Sequence, residues 1–188
     1  MSELFQWIEN RRNIAPEEMN GQPVDEKIID EMLAAANWAP THGLTEPWRF
    51  TVFSGPGLKV FSDFHSGLYK SETTADQFAE KKYEKILHRA DKASHIISIG
   101  LKLDEKGKIP EIEEICATAC AVQNMLLVAT SHQLAVYWGS GGMTYHPEMA
   151  KFLEVDKVLG LLFVGHADNL RPKGKRHTGI ETKVRRIS

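Results

Sequence analysis

The segment 39–50, Ala-Pro-Thr-His-Gly-Leu-Thr-Glu-Pro-Trp-Arg-Phe, most constrains how this chain can fold. It lies between a helix-like run and a strand-like run, and it contains two prolines, a glycine, a histidine and a tryptophan. Each proline fixes one backbone angle, and the glycine permits a tight turn. The segment therefore predicts a stiff connection that places polar side chains beside an aromatic ring.

The bulk properties favour one ordinary globular domain over residues 1–188. The net charge is −2, which gives no overall attraction to nucleic acid or to an anionic membrane. No run of 18 apolar residues indicates a membrane span. The first seven residues lack a basic stretch followed by an apolar one, so we expect no secretory signal and a cytoplasmic location.

Alternating helical and strand-like periodicities predict ten elements. Ser2 is expected to cap a first helix that runs through Arg11, and Asp25 a second that runs to about Asn37. The remaining expectations are irregular helices within 58–90, helices at 111–132 and 147–153, and strands at 49–54, 95–103, 134–138 and 158–164. This order predicts an α+β fold with a mixed four- to five-stranded sheet flanked by helices.

The predicted helix 111–132 is apolar on most faces between Cys116 and Ala129. Such a helix is typical of a buried core or of a subunit interface. Cys116 and Cys120, the only cysteines, share one face of it. Because no histidine or further cysteine completes a metal site nearby, we predict no metal and interpret both as small buried hydrophobic residues.

Residues 169–188 differ in character from the rest of the chain. Seven lysines and arginines stand there against one acid, Glu181. Little in this segment can build a core, so it is interpreted as an extended basic arm that needs another surface. Without interleaved aromatic residues, a docked tail is favoured over a nucleic-acid-binding segment.

Three groups of residues each allow a structural and a functional interpretation. Arg11 and Arg12 suit the dipole at the end of a helix, but they also suit a phosphate group. His42 is either a solvated loop side chain or a donor to a ligand. Gly139–Gly142 either makes an ordinary turn or lets the backbone approach a ligand closely. Trp48, which opens a strand, is predicted to lie in the core.

Taken together, these motifs resemble those of the nitroreductase family over nearly the whole chain. Arg11-Arg12-Asn13 is similar to the family's Arg-Arg-Ser element, and 39–50 is similar to its Ala-Pro-Ser and Gln-Pro-Trp elements. Helix 111–132 resembles its central dimer helix. Further similarities are Trp138-Gly139-Ser140-Gly141 near the flavin edge and Val164-Gly165-His166 followed by Lys173 and Arg176.

The resemblance implies a three-layer fold and a homodimer that binds two FMN molecules at its interface, with each C-terminal arm wrapping the partner. It implies an oxidoreductase in which NAD(P)H reduces flavin N5 and a nitroaromatic compound, a quinone or a related acceptor is then reduced, by a ping-pong mechanism. His42 is the candidate proton donor. The implied cofactor-binding residues are Arg11, Arg12, Asn13, Trp38, Pro40, Thr41, His42, Trp138, Gly139, Ser140, Gly141, Lys173 and Arg176.

Several positions depart from the family pattern. Asn13 stands where serine is usual, Glu46 replaces a glutamine, and Ala15 stands where some members keep a lysine near the flavin pyrimidine. Residues 65–93 match nothing in the pattern. Alternatives therefore stay open: another flavin reaction on the same scaffold, such as reductive dehalogenation or flavin fragmentation, a non-catalytic flavin-binding redox protein, or a structural or nucleic-acid-binding dimer.

Overall fold

The computed structural model describes residues 2–169 and 174–187 of the chain. In these ranges the elements follow the predicted order. They are α1 Glu3–Asn10, α2 Glu26–Ala36, β1 Trp48–Ser54, α3 Pro56–Glu72, α4 Glu80–Leu87, β2 His95–Leu101, α5 Glu111–Ser131, β3 Ala135–Gly139, α6 Pro147–Phe152 and β4 Lys157–Gly165.

Both predicted helix caps are present. The Ser2 side chain accepts a hydrogen bond from Phe5 N at 3.3 Å, and Asp25 Oδ1 accepts one from Lys27 N at 2.9 Å. Each satisfies a backbone N–H that the first turn of a helix leaves without a partner. The caps therefore fix where α1 and α2 begin.

The four strands form one sheet in the order β1-β2-β4-β3, and each neighbouring pair is antiparallel. The predicted mixed sheet was therefore wrong, although the α+β class is confirmed. A helix between two strands usually indicates a parallel crossover. Here α3 and α4, which connect β1 to β2, pack against each other. They bring the chain back to the edge of the sheet at which β1 ends, so β2 runs antiparallel to β1. The single helix α5 joins β2 to β3, but β4 lies between those two strands.

Helices cover both faces of the sheet, giving three layers. On one face α2 and α5 pack against side chains such as Ile97 and Leu162. On the other face α3 and α6 pack against Ile96 and Phe163. Successive strand residues thus enter opposite cores, as the period of a β-strand requires. Trp48 belongs to the first core, as predicted, and its indole N–H donates to Asn37 Oδ1 at 3.2 Å.

Helix α5 is long and apolar enough to cross a membrane by length and composition alone. In this fold it is a core helix, with Ala121, Val122 and Met125 fully buried. Its opposite face is open: Cys116 and Cys120 are both exposed. The prediction that these cysteines are buried was therefore wrong, because the apolar composition of α5 does not show which side the sheet covers.

The described part of the C-terminal arm, 174–187, is exposed along its whole length and contains one short 3-10 turn at Ile180–Lys183. Ile180 and Ile187 leave 70% and 82% of their surfaces exposed. No large hydrophobic residue of this stretch is therefore covered by its own chain. Lys173 lies outside the described residues.

Candidate functional site

A cavity of about 380 Å³ lies between the end of α1, the C-terminal half of α5 and the start of β3. We call it the arginine pocket because Arg11 and Arg12 line it, together with apolar residues that include Trp7, Leu126 and Val136. Helix α1 ends at Asn10, so both arginines stand just beyond its last turn. The pocket is therefore lined by apolar, uncharged polar and cationic side chains.

Arg176 of the C-terminal arm brings a third positive charge to this pocket. Partial burial, then the charges of Arg12 and Arg176, lower the pKa of Arg11 below its ordinary value. The backbone at Gly174 lies against Arg12, since a Cβ atom there would be 2.7 Å from the Arg12 Cζ atom. The charges of Arg12 and Arg176 thus both act on the Arg11 guanidinium.

The chain that follows α1 runs along the edge of β3. Ile14 N donates to Val136 O at 3.0 Å, and an isolated parallel bridge pairs Asn13 with Val136. The Asn13 side chain also accepts from Trp138 N at 3.4 Å. The sheet edge therefore connects the arginine pocket to the end of β3, where the glycines begin.

Gly139–Gly142, which we call the glycine turn, closes over the guanidinium of Arg89. Cβ atoms at Gly139 and Gly141 would lie 3.4 Å and 3.2 Å from its two terminal nitrogens. The Arg89 Cζ atom lies 5.1 Å from the centre of the Tyr137 ring and 5.3 Å from that of Phe163. Its Nε atom is buried and has no hydrogen-bond partner among the described residues. The turn thus rests on a half-buried guanidinium group.

Two more buried polar side chains hold the segment after the turn. His65 of α3 is 4% exposed, and its Nε2 atom accepts a hydrogen bond from Met143 N at 3.0 Å. Thr144, fully buried, donates from Oγ1 to Gly141 O at 2.6 Å. Burial, then the charge of Arg89, lowers the pKa of His65 to about 4. The imidazole is therefore neutral at physiological pH and acts as an acceptor.

The remaining predicted residues form a second group, which we call the His42 loop (Pro40–Leu44). His42 Nδ1 lies 2.5 Å from Glu113 Oε2, and both side chains are substantially exposed. Pro40, Thr41 and His42 line a cavity of about 330 Å³ with Cys116 and Cys120 of α5. Trp38, just before the loop, leaves 87% of its surface exposed. A nucleophile or proton donor in the His42 loop would therefore face away from the interior of its own chain.

Within one chain the two groups do not meet. The His42 loop packs on the N-terminal half of α5 through Glu113, whereas the arginine pocket uses Thr130 at the C-terminal end. At 1.5 Å per residue these positions are about 25 Å apart along the helix. The structure therefore brings Arg11, Arg12, Asn13, Trp138–Gly141 and Arg176 to one region, and leaves Trp38 and Pro40–His42 in another.

Sequence reasoning missed Arg89, His65 and Glu113. The first two fall within 65–93, where polar residues and poor periodicity gave no local motif. Their signal is spatial, because antiparallel pairing of β3 with β4 places the glycine turn over the end of α4. Glu113 is one of several acids in the first turn of α5, so the sequence does not single it out. Only the packing of α5 against the His42 loop identifies His42 as its partner.

Comparison with known proteins places this geometry in a family. The model of the nitroreductase family matches residues 9–166. The Escherichia coli K12 protein named "Putative NAD(P)H nitroreductase YdjA" is 29% identical over 140 residues, or 73% of this chain and 74% of that protein. The crystal structure of a nitroreductase-like family protein from Bacillus cereus is 25% identical, with a TM-score of 0.81 over 100% of this chain and 97% of that one.

Two further structures of lower identity share the fold. One is a nitroreductase with bound FMN from Bacteroides fragilis, 19% identical with a TM-score of 0.71 over 100% of each chain. The other is the FMN-dependent nitroreductase NfnB from Mycobacterium smegmatis in complex with NADPH, 16% identical with a TM-score of 0.74 over 98% of this chain and 97% of that one. Because the family model spans most of the sequence, this chain belongs to the nitroreductase family.

Proposed function

We propose that this protein is an FMN-dependent oxidoreductase that takes electrons from NAD(P)H and delivers them to a small nitroaromatic, quinone or related acceptor by a ping-pong mechanism. The observation that carries the proposal is that Arg11 and Arg12 line one pocket and that the charge of Arg176 also acts on Arg11. Family membership supports it, as do the FMN-containing and NADPH-containing relatives. We expect the protein to work as a cytoplasmic homodimer.

The arginine pocket fits the phosphate end of FMN. A phosphate dianion offers several acceptor oxygens, and the planar fork of arginine matches them. Burial, and then the charges of Arg12 and Arg176, lower the pKa of Arg11, so a bound anion would stabilise the charged form of this side chain. The cluster therefore suits a dianion better than a neutral ligand.

The glycine turn fits the ring end of the cofactor. Its three glycines allow a planar ligand to approach the backbone closely. Arg89 lies directly beneath the turn and supplies a cation. Ala15 lacks the charge that some family members place near the pyrimidine ring, so we infer that Arg89 takes over this electrostatic role. Asn13, hydrogen-bonded to Trp138 N, joins the two ends.

Two copies of the chain are needed to complete the site. A two-fold axis across α5 makes the two helices run antiparallel, so the N-terminal half of one lies beside the C-terminal half of the other. This arrangement brings the His42 loop of one protomer to the arginine pocket of its partner. The open apolar surface supports it: Ile112, Leu44 and Trp38 are 63%, 81% and 87% exposed. Patches of this kind mark interaction surfaces.

In the assembled site the protein contributes placement and electrostatics. Bound FMN supplies reversible two-electron chemistry at N5. The arginines hold the charged end, the glycine turn leaves one side free of side chains, and Arg89 favours additional negative charge nearby. Glu113 orients His42 through Nδ1, which leaves Nε2 as the atom that can carry a proton to the acceptor.

The direct test of the function is anaerobic addition of NADPH to the purified protein loaded with FMN. We expect the yellow absorbance to bleach rapidly and to return when nitrofurazone is added. Persistent colour would instead identify a flavin-binding protein without turnover. Return of the colour with halogenated phenols, but not with nitrofurazone, would favour reductive dehalogenation. A colourless protein that binds neither FMN nor NADPH would contradict the proposal.

Replacing Arg11 with alanine should weaken FMN binding without unfolding the chain. A hydrogen bond between charged groups contributes about 1.5–3 kcal/mol, which corresponds to a roughly 10- to 150-fold rise in the dissociation constant. Fluorescence titration with FMN measures it, and circular dichroism checks the fold. Lys81→Ala, an exposed cation on α4, is the matched control and should bind normally. Equal affinities for the two variants would refute the role of Arg11.

Replacing Arg89 with methionine should make the midpoint potential of bound FMN more negative, because a half-buried cation beside the cofactor stabilises its reduced form. An interaction of about 1–2 kcal/mol corresponds to roughly 20–40 mV for a two-electron couple. Equilibration with reference dyes measures the shift. Arg89→Lys keeps the positive charge, so the midpoint potential of its bound FMN should stay close to that of the unmodified protein. A potential unchanged in Arg89→Met would show that this guanidinium does not act on the cofactor.

The exposed face of α5 should hold the dimer together. Ile112→Glu places a charge on that face, so we expect light scattering to report half the mass and FMN binding to fall at least tenfold. Val60→Glu on α3 is the control, since Val60 is similarly exposed, at 57% against 63%, on the opposite side of the sheet. If both variants keep the mass of the unmodified protein, the interface lies elsewhere.

A further inference from the structure

We propose that His65 is a positioning residue that sets the glycine turn through the main-chain N–H of Met143, and that acid releases this support. The proposal rests on the proposed function, because the glycine turn is one wall of the proposed flavin site. It adds a residue from α3, a helix on the far side of the sheet from α5.

Buried side chains hold the glycine turn from beneath. Met143 N donates to His65 Nε2 at 3.0 Å, while Thr144 Oγ1 donates to Gly141 O at 2.6 Å. Both side chains are nearly or fully buried, with exposures of 4% and 0%. Hydrogen bonds in such an environment are costly to leave unmade, so they hold the backbone in one conformation.

The His65 imidazole also packs closely against the backbone of Gly142. Gly142 has a φ of +69°, and a Cβ atom there would lie 2.5 Å from His65 Nε2. The imidazole therefore occupies the space that any other residue at position 142 would need. Glycine at this position allows both the left-handed backbone and the close approach of the histidine. The two residues fit only as a pair.

The hydrogen bond from Met143 N depends on the protonation state of His65. Only an unprotonated Nε2 accepts the Met143 hydrogen bond, since the imidazolium carries N–H donors on both nitrogens. The charged group from the described residues that acts on His65 is Arg89, which lies at the end of α4 and disfavours the imidazolium. Phe61 of α3 packs against the ring at 5.5 Å between ring centres and contributes no charge. The surroundings thus favour the accepting form.

The lowered pKa of His65 makes the folded chain less stable in acid. The pKa of His65 lies near 4 in the folded chain and near 6.5 in the unfolded chain. Between these values the unfolded chain binds a proton that the folded chain excludes. The stability that neutral His65 provides is therefore complete above pH 6.5 and is lost progressively as the pH falls toward 4.

Hydrogen exchange of the Met143 amide, followed by NMR in the protein without FMN, tests the proposal. His65→Leu removes the acceptor, so we expect the protection factor of Met143 at pH 7 to fall at least tenfold. His65→Gln offers an amide oxygen and should restore much of it, but without titrating. Its acid-unfolding midpoint should consequently move to lower pH than that of the unmodified protein. His177→Gln, at an exposed histidine of the C-terminal arm, is the control and should change neither quantity.

Gly142→Ala provides a second test if His65→Leu does not fold. The added methyl group displaces the imidazole from Met143 N, although residue 65 is still histidine. It should lower Met143 protection in the same way. Unchanged protection in both variants would overturn the proposal, as would a glutamine variant with the same acid-unfolding midpoint as the unmodified protein. FMN titration then separates the two proposals. If a variant loses protection of the Met143 amide but keeps its FMN affinity, the glycine turn is not a wall of the flavin site. If neither the unmodified protein nor any variant binds FMN, the proposed function is rejected and the role of His65 is not.

Discussion

The packing of α5 against one face of the antiparallel sheet is the constraint on which the rest of this structure depends. Ala121, Val122 and Met125 are fully buried beneath the sheet, and the same helix separates the His42 loop at one end from the arginine pocket at the other. Because a helix is rigid over 21 residues, these two groups stay apart within one chain. The separation makes a second copy of the chain the simplest way to unite them.

The opposite end of the proposed site depends on a different kind of contact. The glycine turn is supported by buried polar groups rather than by apolar packing, with Arg89 under Gly141 and His65 bonded to Met143 N. Such groups are expensive to bury and become useful only when their geometry is complete. Burial, and then the charge of Arg89, lower the pKa of His65 and keep its imidazole neutral, and shifted pKa values of this kind are common at functional sites.

Some features of this molecule follow directly from local sequence. The Ser2 and Asp25 caps, the period-two alternation of Ile96 and Ile97, and the burial of Trp48 all depend on interactions within a few residues or on one strand's own pattern. The motifs at Arg11-Arg12-Asn13 and at 39–50 were sufficient to suggest the family because their residue types and order are specific. The direction of the strands could not be predicted in this way, because both the pair α3 and α4 and the single short helix α6 connect strands that pair antiparallel.

The sequence alone determined the order of helices and strands, the alternation of their buried faces and the family to which the chain belongs. Only the tertiary structure decided that Cys116 and Cys120 face outward, that Arg176 approaches Arg11, and that Arg89 and His65 lie under the glycine turn. The physical reason is the distance along the sequence over which each kind of interaction acts. Caps and periodicities act between near neighbours, whereas these contacts join residues from 50 to more than 160 positions apart, and only the packed sheet brings them together.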